Sequence, residues 1–155
     1  VGSSLRLREL VGNSIHNLVR ITGDLFTAVS GAPARTEPQL RDSPIYFADG
    51  AFGLADADVR GLAVHEVFHL IEYNWQSWAR GIGRAEFTPM RAFPRTAKLS
   101  GYAMENRLGL EYWAEAGADW VYGQTYSYSR RKEAMESLTP NQAAWLSKVL
   151  TGWGW

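Results

Sequence analysis

Hydrophobic spacing changes character several times along this chain, and each change predicts an element. Leu5, Leu7, Leu10, Val11, Ile15, Leu18 and Val19 recur near the helical period after Ser3-Ser4, which predicts an N-terminal helix with a serine cap. Residues Gly31 to Pro44 are rich in Pro, Arg, Thr and Ser. They lead into Ile45-Tyr46-Phe47-Ala48, closed by Asp49-Gly50, a pattern that predicts a short strand and a turn. Asp56 and Asp58 then offer N-cap and first-turn negative charge to a helix from about Val59 to about Trp78.

Residues 79–101 hold three Gly, two Pro and four Arg with no clear period, so they predict a long loop rimming a cleft. From about Leu108 to Tyr128 a second helical pattern sets Glu111, Glu115 and Asp119 at i, i+4 and i+8. Thr139-Pro140-Asn141-Gln142 has the form of a capping box with proline at the first helical position, and Gly152 closes that last helix. The expected class is α+β, mainly helical, as a single domain over 1–155 with a small sheet or edge strand.

Composition narrows the functions available. A chain of 155 residues can bury a core without a disulfide or metal staple, so a metal would be there for chemistry. Basic and acidic residues balance at 16 each, and Arg130-Arg131-Lys132 is the longest basic run. That leaves no electrostatic footprint for nucleic acid or an anionic membrane. Cysteine is absent, which excludes thiol catalysis, Cys-ligated zinc and disulfide scaffolds. No apolar run approaches ~18 residues, so no membrane span is expected. The chain begins at Val1 with neither a signal core nor a transit-peptide composition, and reads as a mature product or a fragment of a longer chain.

The chemistry concentrates in AVHEVFHLIE, residues 63–72. On a helix, His65 and His69 lie about 40° apart and ~6 Å along the axis, so both reach one ion from one face, while Glu66 stands about 100° round. The glutamate is then placed beside the ion as a base rather than as a ligand. Imidazole nitrogens favour Zn²⁺ over Ca²⁺ or Mg²⁺. The bland alternative is two core histidines satisfied by hydrogen bonds around a surface glutamate. Against it, Leu62, Val64, Val67, Phe68, Leu70 and Ile71 make the helix apolar nearly all round, and burying three unanswered polar groups costs on the order of several kcal/mol.

A catalytic zinc takes three protein ligands and leaves a fourth position for water. HExxHxxGxxH is excluded by Glu72 and Trp75. His16, in the predicted N-terminal helix, is a weak candidate. The better source is LGLEYWAEAGADW, residues 108–120, where an acidic ladder is flanked by Trp113 and Trp120.

HEVFH followed about forty residues later by E-Y-W-A-E resembles the gluzincin metallopeptidases. That resemblance implies Glu111 as third ligand to one Zn²⁺ per chain, Glu115 as the acid that orients a ligand, and Asp119 as a weaker candidate for that role. IYFADGAFGLADADVRGLAVHEVFHLIEYNWQ and GLEYWAEAGADW, in that order, also look like the HExxH domains of bacterial contractile injection systems and polymorphic toxins. Tyr112-Trp113 departs from their pattern, as does the stretch between the blocks. The lethal-factor-like branch resembles Tyr102 to Glu115 and implies that Tyr102 stabilises an oxyanion, although nine residues separate Tyr102 from Glu111, more than in that branch. Tyr126, Tyr128, Arg91 and Arg95 are other candidates for that role.

These resemblances imply a zincin-like domain, with an HExxH helix and a second ligand-bearing helix, that hydrolyses peptide bonds. Zn²⁺ lowers the pKa of water from about 15.7 to about 7, Glu66 takes the proton and later passes it to the leaving amine. The expected partners are a peptide or protein substrate and a larger parent polypeptide or secretion apparatus, with a secreted or injected location. If Ile45–Ala48 is an edge strand, a peptide adds to it in extended form. Trp75, Trp78 and Phe93 either line an apolar pocket or belong to the core. The alternative function is a catalytically silent zincin-like interaction or assembly module. Glu66 separates the two, because a metal-only scaffold needs ligands but no base.

Overall fold

The computed structural model describes residues 18–21, 34–36, 45–81, 88–105, 109–122 and 136–151. Strands β1 (Leu18–Ile21), β2 (Ala34–Thr36) and β3 (Ile45–Ala48) form a sheet in the order β1-β3-β2. Among the described residues five helices follow the short 3₁₀ turn Asp49–Gly53: α1 (Asp56–Gly81), α2 (Pro89–Ala92), α3 (Gly101–Glu105), α4 (Leu110–Tyr122) and α5 (Pro140–Thr151). The molecule is mainly helical with a small sheet, as its pattern predicts.

The sheet carries two corrections. β3 is the central strand, parallel to β1 from Leu18↔Ile45 to Ile21↔Ala48 and antiparallel to β2 from Ala34↔Phe47 to Thr36↔Ile45. Its backbone is committed on both sides, so the expected addition of a peptide to β3 has no free edge to use. Ile45, Phe47 and Ala48 are buried, which suits a strand covered on both faces better than an edge. Leu18 and Val19, expected at the end of a helix, lie in β1; apolar Leu18 and β-branched Val19 and Ile21 serve a strand equally well. The rest of that expected helix, His16 included, lies outside the described residues.

α1 is longer than its pattern predicted, running to Gly81, and it stands between two apolar clusters. Leu62 and Leu70 join Ile45, Phe47, Ala34, Ala51 and Ala118 on the sheet side. Phe68 and Ile71 join Phe93, Tyr112, Trp113, Leu146 and Leu150 on the helical side. Val64 and Val67 pack against both. A helix that is apolar all round is an interior helix, and this places the His65–His69 stretch in the middle of the molecule.

The described part of the expected loop over 79–101 is more ordered than its composition suggests. It holds the end of α1, the whole of α2 and the first residue of α3, while Met90, Phe93, Ala97 and Leu99 are core residues. Thr88 caps α2 by accepting from Arg91 N–H at 3.3 Å, with Pro89 at the first helical position. Among the described residues α4 ends at Tyr122, short of the expected Tyr128; Tyr126, Tyr128 and the closing Gly152 lie outside them.

The capping box forms. Gln142 N–H donates to Thr139 Oγ1 at 3.3 Å, and Gln142 Oε1 accepts from Thr139 N–H and from the Thr139 hydroxyl, both at 3.0 Å. The same side chain reaches further: its Nε2 donates to Pro94 O at 2.8 Å and to the Tyr112 hydroxyl at 3.0 Å. One buried amide therefore joins α5, α4 and the segment between α2 and α3.

Candidate metal centre

His65 and His69 project from one face of α1 a turn apart, their rings meeting edge-on at 81° with centroids 4.8 Å apart. Glu111 enters from the first turn of α4. Gly109 begins that approach in the left-handed region at φ 77°, with the Arg95 guanidinium packed where a side chain would stand. Its carbonyl accepts from Trp113 N–H at 2.9 Å, which starts the helix.

Three donor atoms from two helices converge. His65 Nε2 lies 3.1 Å from Glu111 Oε2 and 3.1 Å from His69 Nε2, and His69 Nε2 lies 3.6 Å from Glu111 Oε2. Among the described residues these three side chains form a group able to hold a metal ion. Hydrogen bonding satisfies the triangle poorly. If both Nε2 atoms are protonated they donate to the carboxylate but face each other at 3.1 Å, and if either is unprotonated its lone pair faces the carboxylate. A shared cation answers all three.

The separations also have the right size. Bonds of about 2.0–2.1 Å in a tetrahedron put neighbouring ligand atoms about 3.3 Å apart, between the observed 3.1 and 3.6 Å. Two imidazoles and a carboxylate suit Zn²⁺ or a similar transition ion better than Ca²⁺ or Mg²⁺.

Electrostatics point the same way. Burial opposes charge on Glu111, yet the hydrogen bonds to His65 and His69 and their positive fields hold its carboxyl well below the usual carboxylate range. Burial likewise lowers the proton affinity of His69, but the hydrogen bond with Glu111 and the nearby charges of Glu66 and Glu111 more than offset it, so its pKa is raised. Positive charge is thus favoured where the three side chains meet. Glu66, buried at 5% exposure, adds a second negative charge, and two carboxylates match a divalent ion.

The other expected site residues have structural ties of their own. Glu115, 2% exposed, accepts from the Ser100 hydroxyl at 2.6 Å and from Ser100 N–H at 3.3 Å. Asp119 accepts from Leu138 N–H at 3.0 Å and lies eight residues from Glu111, about 12 Å along the helix, where it anchors the approach to α5. Tyr102 sits on α3 and is 52% exposed. Arg91 is exposed on α2 and Arg95 covers Gly109. Phe93 is in the core, against Tyr112, Trp113 and Trp145, rather than on a pocket wall; Trp75 is buried.

Three contributors escaped sequence reasoning. Glu72, fully buried, accepts from Met90 N–H and Gln76 Nε2, both at 3.0 Å, and ties the motif helix to α2. Trp113 donates from Nε1 to Phe68 O at 2.9 Å, beside His69. Ser100 gives Glu115 its donors. A buried acid at the end of the apolar run HLIE was the one visible signal, and it named no partner. Comparisons with protein-family models, curated proteins and solved structures return no match for this chain.

Proposed function

We propose that this chain is a zinc-dependent peptidase of the gluzincin type, with a zincin-like fold. What carries the reading is the meeting of His65 Nε2, His69 Nε2 and Glu111 Oε2 at 3.1, 3.1 and 3.6 Å, from helices whose motifs lie more than forty residues apart. These three residues would hold the metal. When bound, Zn²⁺ supplies an acidified water and a Lewis acid that polarises a carbonyl.

The remaining chemistry belongs to the protein. Glu66 is fixed on α1 one residue from His65 and is buried at 5% exposure. It takes a proton from the attacking water as the new C–O bond forms, and then delivers that proton to the leaving amine as the peptide C–N bond breaks. Glu115, held by Ser100, anchors α4 one turn beyond Glu111. Tyr102 is accessible to a substrate and is the candidate to stabilise the oxyanion.

The test pairs zinc stoichiometry with cleavage of a denatured-protein mixture. The expected outcome is one Zn²⁺ per chain in the wild type, retained without cleavage in Glu66→Gln and lost in Glu111→Ala. Equal zinc in all three discards the ligand assignment, and cleavage surviving in Glu66→Gln discards the base. Wild type that binds zinc and cleaves nothing points to an interaction module instead.

A further inference from the structure

His65 and Glu111 lie on different helices, so the gap between their donor atoms depends on how closely α1 and α4 approach. That approach is set at Phe68, next to His69, where three contacts from α4 meet. A Cβ placed on Gly117 would lie 2.3 Å from Phe68 Cγ and Cδ1. The Trp113 indole donates to the Phe68 carbonyl at 2.9 Å. The two rings pack with centroids 5.2 Å apart, tilted by 56°. Trp113 and Gly117 are four residues apart and share a face of α4.

Helix formation explains neither residue. Ala114, Ala116 and Ala118 surround Gly117, and alanine there would favour the helix more than glycine does. The indole bond goes to a carbonyl in the middle of α1, which the helix can satisfy by itself.

We propose that Gly117 and Trp113 are positioning residues for the metal centre. The glycine sets the gap between the helices, the indole fixes the main chain beside His69, and together they hold Glu111 within ligand distance of both imidazoles. The inference rests on the metal-binding reading above. Magnitudes separate this role from ordinary packing. Relieving a 2.3 Å contact to the ordinary 3.4 Å takes a shift of about 1 Å, which a core can absorb in part, whereas metal–ligand distances tolerate only about 0.2 Å.

Titration with Co²⁺, read by its visible d–d absorption, tests this on the wild type, Gly117→Ala, Trp113→Phe, Phe68→Leu and the Gly117→Ala/Phe68→Leu double variant. Circular dichroism and thermal unfolding report the fold. Folded Gly117→Ala is expected to bind Co²⁺ about 10- to 100-fold more weakly, the range seen when groups that orient a ligand are removed. Its band weakens as the tetrahedral site opens. Trp113→Phe, which keeps a ring but drops the hydrogen bond, shifts both readouts in the same direction. The double variant recovers affinity relative to Gly117→Ala, because leucine can rotate away from position 117.

Wild-type affinity and spectrum in folded Gly117→Ala overturn the proposal, and so does a double variant with no recovery. Should Gly117→Ala fail to fold, an unchanged Trp113→Phe overturns it. Wild type that takes up no Co²⁺ removes the metal centre itself, a result distinct from the others.

Discussion

Tyr112 carries a hydroxyl to a place where it is 1% exposed, and the oxygen is used twice. It donates to Ala97 O at 2.7 Å and accepts from Gln142 Nε2 at 3.0 Å. Burial pushes its pKa above the usual value of 10, although the bond from Gln142 works the other way. The sign of the consequence follows from proton counting: around and above pH 10 the folded state holds a proton that the unfolded chain releases, so stability falls as pH rises. Below pH 10 this contribution is intact. Urea unfolding of the wild type from pH 7 to 11 is expected to show declining stability at the alkaline end. Tyr112→Phe should lose about 1–3 kcal/mol at neutral pH, since Ala97 O loses its donor, yet show a flatter alkaline decline. Equal alkaline slopes in the two proteins would assign the decline to other groups.

Elements differ in how openly the sequence declares them. α5 was legible because its cap is local: Thr139, Pro140 and Gln142 satisfy the first turn with their own atoms. α1 was legible because apolar residues surround it on every side, and the convergence of His65 and His69 follows from helical spacing. Glu111 needed more, since the meeting of α1 with α4 depends on long-range packing that periodicity does not encode. The central place of β3 was hidden for a related reason, because pairing on both sides is decided by β1 and β2, partners that the pattern of Ile45–Ala48 does not name. α3 shows how such an element is held. Ser100 Oγ accepts from Ala103 N–H at 3.2 Å while donating to Glu115, so one hydroxyl caps α3 and answers a buried acid on α4. Ser100→Ala removes the cap, worth about 1 kcal/mol, and a hydrogen bond to a charged group, worth about 1.5–3 kcal/mol. A loss of roughly 2–4 kcal/mol in denaturant unfolding is expected, largely restored in Ser100→Thr. A loss below about 0.5 kcal/mol would mean that Glu115 draws its stabilisation from elsewhere.

At the scale of the molecule, the core closes without the three residues proposed to hold a metal. Two apolar clusters meet across Val64 and Val67 and bury Trp113, Leu70, Ile71, Leu146 and Leu150 almost completely, without help from the three donor residues. A chain whose core closes in this way should stay folded when its metal is removed, unlike a small zinc-stapled domain. On the proposed reading Zn²⁺ would add stability by mass action, about 2.7 kcal/mol when free Zn²⁺ is 100 times its dissociation constant. For a chain of this size each kcal/mol moves the melting temperature by about 2–4 °C. Treatment with a chelator is therefore expected to lower Tm by roughly 5–11 °C while the far-ultraviolet circular dichroism at 25 °C is unchanged. Glu111→Ala should melt at the same temperature with and without zinc, because it removes the linkage along with the ligand. Unfolding on chelation would make the ion a structural staple rather than a catalytic group. An unchanged Tm in the wild type would show that the three side chains bind no zinc in the folded state.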